Sequence, residues 1–223
     1  MIRIKGDFKL LLDPGHGIDT MGKFSTDRSL REYQWNREMV AMIAHKCEVE
    51  GIDYEVITPE LNDISITQRC QRVNRWASKL GKLNVLLISV HVNAHGDGSV
   101  WTPARGICSF TFRSLVKDSQ GNLVKVKTAS ENSRKAATFF GQKCIEKGFY
   151  LRQPEPGKLY WEQNFGILRM SACPAILTEN FFMTNQEDLK FIKSDEGKES
   201  ISQVHIDTVK RYLEYMDKIV SPF

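Results

Sequence analysis

What most constrains the fold of this chain is a device it uses three times: a short apolar run that stops at a side chain able to bind a metal or carry a proton. The first instance is Lys9-Leu10-Leu11-Leu12-Asp13-Pro14-Gly15-His16-Gly17. Leu10 to Leu12 suit a strand covered on both faces, because a brief uninterrupted apolar run closed by turn residues leaves no face for water. Pro14 fixes its own φ and offers no N–H to a ladder, and the glycines flanking His16 permit close backbone approach. His16 is therefore presented at the strand's carboxyl edge, where open α/β sheets bind ligands. Asn84-Val85-Leu86-Leu87-Ile88-Ser89-Val90-His91 repeats the arrangement, followed by Asn93, Ala94, His95 and the turn Gly96-Asp97-Gly98. Pro174-Ala175-Ile176-Leu177-Thr178-Glu179-Asn180 is the third instance, with a carboxylate in place of the imidazole.

Between these runs the apolar spacing becomes helical. Leu30, Tyr33, Met39, Val40, Ile43, Ala44 and Cys47 form one helix that Gly51 stops, and Ser29 with Glu32 three residues on fits a capping box. Glu32 thus has a purely structural role open to it. Ile52 to Thr58 reads as a second strand, and a helix runs from about Ser65 to Leu80. Gly106 to Phe112 reads as a strand joined through Asp118–Asn122 to Leu123–Lys127 as a hairpin. Ser133 to Lys147 is an amphipathic helix, Leu151 to Phe165 a surface loop rich in aromatics, and Ser202 to Val220 a terminal helix. His45 and His205 lie on helices with no partner at ligand spacing and read as ordinary surface or core residues. With no repeat, low-complexity tract or linker, residues 1–223 form one domain.

Composition narrows the function classes. A net charge of +4, from 31 basic and 27 acidic residues, comes without any basic run of the kind that marks a nucleic-acid surface, so no nucleic-acid partner is expected. No apolar run is long enough for stable membrane insertion. Cys47, Cys70, Cys108, Cys144 and Cys173 are widely spaced in apolar surroundings, with no CxxC pair, and read as reduced core residues. Met1 to Asp7 does not read as a signal peptide, so the expectation is synthesis in the cytoplasm.

If the three runs are neighbouring strands, His16, His91 and Glu179 converge on one crevice, and Glu32 leans in from the first turn of its helix. Two imidazoles and a carboxylate are the usual three-ligand set of a catalytic zinc site with its fourth position open to water. A second carboxylate beside that water supplies the proton transfers that hydrolysis needs. The wide spacing, unlike the local register of HExxH, leaves a structural reading of these residues open beside the metal one.

Leu12-Asp-Pro-Gly-His-Gly17, Glu32-Tyr-Gln-Trp-Asn36, Ser89-Val-His-Val-Asn-Ala94 and Pro174-Ala-Ile-Leu-Thr-Glu-Asn-Phe-Phe-Met-Thr-Asn185 resemble the ordered motifs of the zinc-dependent N-acetylmuramoyl-L-alanine amidases of the Amidase_3 type. Ile66-Thr-Gln-Arg69 with Asn74 resembles that family's helix before the second histidine. The resemblance runs from about residue 8 to residue 215. It implies a single-domain α/β fold, phosphorylase/hydrolase-like, with a mixed, roughly six-stranded sheet flanked by helices. It also implies Zn2+ held by His16, Glu32 and His91, Glu179 as the catalytic base and then acid, and peptidoglycan as substrate. The bond cut would join the lactyl group of N-acetylmuramic acid to L-alanine. Asn36 is placed to orient Glu32, and Asn93 and Arg169 match positions near the family's cleft as substrate-binding residues. Ile18 stands where the family often has glycine, a glycine usual near Asn180 is missing, and His95 adds an imidazole. No long apolar helix in Ser99–Ser130 is available to block the site, and the resemblance points to a phage or prophage lysin, an endolysin acting at the cell wall; a regulatory protein, if one acts, is not named by the sequence. Two other readings remain: a zinc peptidase on free peptides, and a non-catalytic wall-binding module.

Overall fold

The computed structural model describes residues 8–220, so the Met1–Asp7 stretch that bears on a signal peptide lies outside the described residues. Its strands are β1 (Lys9–Pro14), β2 (Tyr54–Val56), β3 (Val85–Asn93), β4 (Cys108–Lys117), β5 (Leu123–Thr128), β6 (Trp161–Gln163) and β7 (Ala175–Phe182). Its helices are α1 (Glu32–Glu50), α2 (Ile66–Leu80), α3 (Glu131–Glu146), α4 (Gly166–Met170), α5 (Gln186–Lys193) and α6 (Asp195–Val220). They build a mixed seven-stranded sheet in the order β2-β1-β3-β7-β4-β5, with β6 beside β4. The first four strands in that order run parallel, and β4 turns antiparallel to β7.

β1, β3 and β7 are neighbours, and their register decides what they deliver. Pro14 pairs with Val90 and His91 with Glu179, so the ends of all three apolar runs fall at one carboxyl edge. Alternation of side chains along each strand splits the leucines between two cores. Leu10, Leu12, Leu86 and Ile88 face α1, α3 and α6, while Leu11, Leu87 and Leu177 face α2 and α4. All of these are buried, each contributing roughly 1.5–3 kcal/mol by leaving water. His205 joins the larger side: its Nδ1 donates to the Ile201 carbonyl (2.9 Å), Nε2 accepts from Thr178 Oγ1 (3.1 Å), and burial pushes its pKa down to about 4, so it is a neutral core residue.

Two expectations need correction. The seventh strand, β6, lies inside the stretch expected to be a surface loop; Trp161 to Gln163 pair with Phe110 to Phe112, and the Trp161 indole donates to the Arg152 carbonyl (3.0 Å). Three residues are too few for an alternation to show in sequence. The capping box at Ser29 does not form. α1 opens at Glu32 behind Arg31, which makes no side-chain cap, and Ser29 Oγ instead accepts from Lys193 Nζ (2.8 Å). Glu32 cannot reach back because its carboxylate is engaged at the strand ends. α2 does carry a reciprocal box, between Ser65 and Gln68.

Phe181 explains the missing glycine near Asn180. Its φ is +67°, in the left-handed region that favours glycine, at a cost of about 1–2 kcal/mol. Its buried ring packs edge-on against Phe149 and Phe191, with centroids 5.3 and 5.1 Å away. Truncating a buried phenylalanine costs about 3–5 kcal/mol, so packing outweighs strain. Phe181→Gly should therefore lower stability by about 2 kcal/mol in urea denaturation, and a more stable variant would show that the backbone strain dominates.

Candidate active site

His16 leaves the end of β1 with φ +63°, a costly conformation for a residue with a Cβ. The surroundings hold it there. Arg37 Nη1 donates to the His16 carbonyl (2.8 Å), Gly15 N–H to the Val90 carbonyl (3.0 Å), and Gly17 N–H to Thr20 Oγ1 (3.0 Å). Asn36, expected to orient Glu32, instead donates from Nδ2 to the Gly15 carbonyl (3.0 Å). Two glycines are dictated by close approach: a Cβ on Gly15 would stand 2.1 Å from Cε1 of His91, and one on Gly17 would stand 2.0 Å from the Asp63 backbone nitrogen. Ile18, by contrast, fits where glycine was expected, donating its N–H to the Leu61 carbonyl (2.9 Å) with its side chain exposed.

From this base the structure brings His16, Glu32 and His91 together, with one ligand atom of each within 4.8 Å of the others. His91 Nδ1 lies 3.0 Å and His16 Nε2 3.3 Å from Glu32 Oε1, and the Val92 N–H donates to the same oxygen (3.3 Å). The imidazoles meet edge to face with centroids 4.9 Å apart. Burial of Glu32 works against its charge, but hydrogen bonds from His16 and His91, with their positive potential, outweigh it and hold the carboxyl well below the usual range.

Glu179 sits opposite His91 across the β3–β7 ladder. The residue keeps some exposure, yet its Oε2 is covered and has no hydrogen-bond partner among the described residues. Burial, and after it the neighbouring Glu32 charge, push its carboxyl well above the usual range, with Lys23 pulling weakly the other way. Asn93, half-buried at the end of β3, lies beside the Cys108 thiol, and Cys108 is the cross-strand partner of Glu179. Arg169 is not brought into this group. It stands on α4 with its guanidinium donating to Asn164 (2.8 Å), in a groove shared with Lys82 and Pro174 at the amino ends of β3 and β7. His95 is exposed, its backbone N–H donating to Thr184 Oγ1 (3.0 Å).

Sequence reading missed three supports. Asp13 read only as a strand terminator and Ser89 only as a strand residue, while Arg37 went unremarked; yet Asp13 Oδ2 accepts from Ser89 Oγ (2.7 Å), and Ser89 Oγ lies 3.3 Å from His91 Nε2. The available signal was Asp13 itself, a carboxylate within an otherwise buried apolar strand.

Fold and site together describe an α/β protein with a candidate metal centre at the carboxyl ends of adjacent parallel strands. The sequence matches the N-acetylmuramoyl-L-alanine amidase family over residues 10–211. An N-acetylmuramoyl-L-alanine amidase of Bacillus licheniformis, CwlM, is 25% identical over 208 residues, which cover 91% of this chain and 68% of that protein. The crystal structure of N-acetylmuramoyl-L-alanine amidase from Clostridium difficile 630 has the same fold, with a TM-score of 0.74 at 23% identity over 94% of this chain and 98% of that one. The catalytic domain of the CD27L endolysin targeting Clostridia difficile aligns with a TM-score of 0.64 at 21% identity, over 92% of this chain and 97% of that one. This chain belongs to the N-acetylmuramoyl-L-alanine amidase family, a family of hydrolases.

The contact between Gly15 and the His91 ring yields a direct test. Gly15→Ala should displace the imidazole and weaken metal binding by about tenfold to a hundredfold in calorimetric titration, with the far-ultraviolet dichroism unchanged. Undiminished affinity would show that the ring's seat on Gly15 does not set the site.

Proposed function

We propose that the protein hydrolyses the amide between the lactyl group of N-acetylmuramic acid and L-alanine in peptidoglycan, with Zn2+ held by His16, Glu32 and His91. The observation that carries this reading is the convergence of two imidazoles and a buried ionised carboxylate beside a second carboxylate with a covered, unpartnered oxygen. The donor set fits the metal: two neutral nitrogens and one anionic oxygen are a borderline-soft, catalytic type of zinc site. When bound, zinc supplies a Lewis acid that polarises the lactyl carbonyl and lowers the pKa of water.

The chain's own groups do the rest. In this reading Glu179 takes the proton from the attacking water and returns it to the departing amine; its unpartnered Oε2 and raised pKa suit a group that holds a proton for part of the cycle. Glu32, held ionised, cannot share that role, so the two carboxylates divide the work by environment. Asn93 lies on the same side of the cleft and is proposed to donate its amide to a substrate carbonyl. Arg169, engaged with Asn164, takes no part in this reading.

The decisive experiment is digestion of purified sacculi with product mass spectrometry, run with and without a chelator. Release of stem peptides bearing a free L-alanine amine from intact glycan strands is expected. Chelation should abolish it, and Glu179→Ala should lower turnover by about a hundredfold to ten-thousandfold while still binding zinc. Activity on soluble peptides with none on sacculi would favour a peptidase, and zinc-loaded protein inert on both would favour a wall-binding module.

We further propose that the enzyme acts as a phage or prophage lysin, made in the cytoplasm and reaching the wall once the membrane is breached. Likeness in fold to an endolysin catalytic domain supports this, as does the β4–β5 hairpin (Cys108–Thr128), which takes up most of Ser99–Ser130 where a blocking helix would lie. Fractionation of producing cells should find the protein inside the membrane until lysis; its presence in the periplasm of intact cells lacking lysis functions would overturn the role.

A further inference from the structure

The carboxylate of Asp13 is buried at the end of β1, three residues before His16. Arg69 Nη1 and Thr58 Oγ1 (3.1 Å) donate to its Oδ1, and Ser89 Oγ donates to its Oδ2 (2.7 Å). A carboxylate paired with a guanidinium only accepts, so the single hydroxyl hydrogen of Ser89 is committed to Asp13. What Ser89 can then offer His91 Nε2, 3.3 Å away, is a lone pair. A lone pair facing that nitrogen calls for a hydrogen on it, so once a metal takes the place filled by the Nδ1 hydrogen bond to Glu32, the neutral ring carries its one hydrogen on Nε2. Nδ1 is the atom that stands 3.0 Å from Glu32 Oε1 in the His16–Glu32–His91 group.

We infer that Asp13 and Ser89 are positioning residues that fix His91 in its Nε2–H tautomer and thereby assign Nδ1 as the metal-binding atom. The inference rests on the metal site proposed above and adds to it which nitrogen binds and what selects it. Hydrogen bonding at one ring nitrogen commonly sets which of the two a metal takes. Both nitrogens face acceptors, Nε2 a hydroxyl oxygen whose hydrogen is spent and Nδ1 the Glu32 carboxylate, but only Nδ1 lies in the His16–Glu32–His91 group, so a metal there takes Nδ1 while Ser89 keeps the hydrogen on Nε2. The ring packs directly on Gly15, where a Cβ would stand 2.1 Å from its Cε1. The Asn180 side chain, donating to the His91 carbonyl (2.9 Å), holds the backbone from the opposite side.

Ser89→Ala is the variant of choice, since Asp13 keeps Arg69 and Thr58 and the fold is retained. The probe is the metal alone. In cadmium-loaded protein with isotope-labelled imidazole nitrogens, the metal should couple to Nδ1 of His91 while Nε2 carries a hydrogen. In Ser89→Ala, zinc affinity measured by chelator competition should fall about tenfold to a hundredfold, and the Nε2 hydrogen should exchange faster. Ser89→Thr, which keeps the hydroxyl, should restore most of the affinity, a rescue that loss of packing alone would not give. Coupling through Nε2, or full affinity in a folded Ser89→Ala, overturns the inference and leaves the metal site standing. Failure of the unsubstituted protein to bind either metal overturns both.

Discussion

Everything at the strand ends depends on one buried carboxylate. Asp13 takes hydrogen bonds from Arg69 on α2, from Thr58 just beyond β2 and from Ser89 on β3, so it ties four elements together at the depth where the apolar runs stop. Arg69 extends the tie to the Pro14 and Ile64 carbonyls and to Asp63. Such an ion pair is costly to desolvate, and its net stabilisation is small even though breaking it leaves a stranded charge. Its value here is geometric. With β1 and β3 fixed against each other at Asp13 and Ser89, His16 and His91 emerge at matching heights, and neither needs a bound ion to find the other.

Electrostatics then separates two chemically identical groups. Glu32 and Glu179 lie in the same cleft, and both lose much of their contact with water, which alone would raise both. Glu32 is rescued by two imidazoles and a backbone N–H, whereas Glu179 has no donor on Oε2 and faces the Glu32 charge. Residue type is equal; environment holds one as the anion and raises the proton affinity of the other. Divergence of this kind between paired titratable groups is what distinguishes acid–base machinery from a structural ion pair.

How much of this was legible in the chain follows from the range of the physics involved. Parallel buried strands announce themselves as uninterrupted apolar runs, so β1, β3 and β7, and with them His16, His91 and Glu179, stood out. The helix stop at Gly51 is equally local; the helix expected from about Ser65 forms, although the Ser65–Gln68 box that starts it was not singled out in the sequence. β6 escaped because three residues carry no period, and the Ser29 cap failed because a distant demand, the strand-end imidazoles, claimed Glu32 first. Asn36 faced the right element but found the Gly15 carbonyl rather than the carboxylate beside it. Arg169 carried only a motif position, and the packing of α4 on α2 turned it elsewhere. The relay through Asp13 and Ser89 was invisible in the spacing because it crosses between strands and exists only once their register is set.

Strain in the backbone shows the same logic from the other side. His16 and Phe181 both hold left-handed conformations that glycine would adopt more easily, and each is close to a chemical group: His16 is itself a ligand candidate, and Phe181 follows Glu179 by two residues. Neither is relaxed by flexibility. Arg37 grips the His16 carbonyl, and an aromatic cluster grips the Phe181 ring. Glu32 is fixed likewise through its N–H on the Lys23 carbonyl, and His91 through its carbonyl on Asn180. Because each group is held by contacts the chain makes with itself, the cost of assembling the site is met during folding, and binding free energy is not consumed in reshaping it.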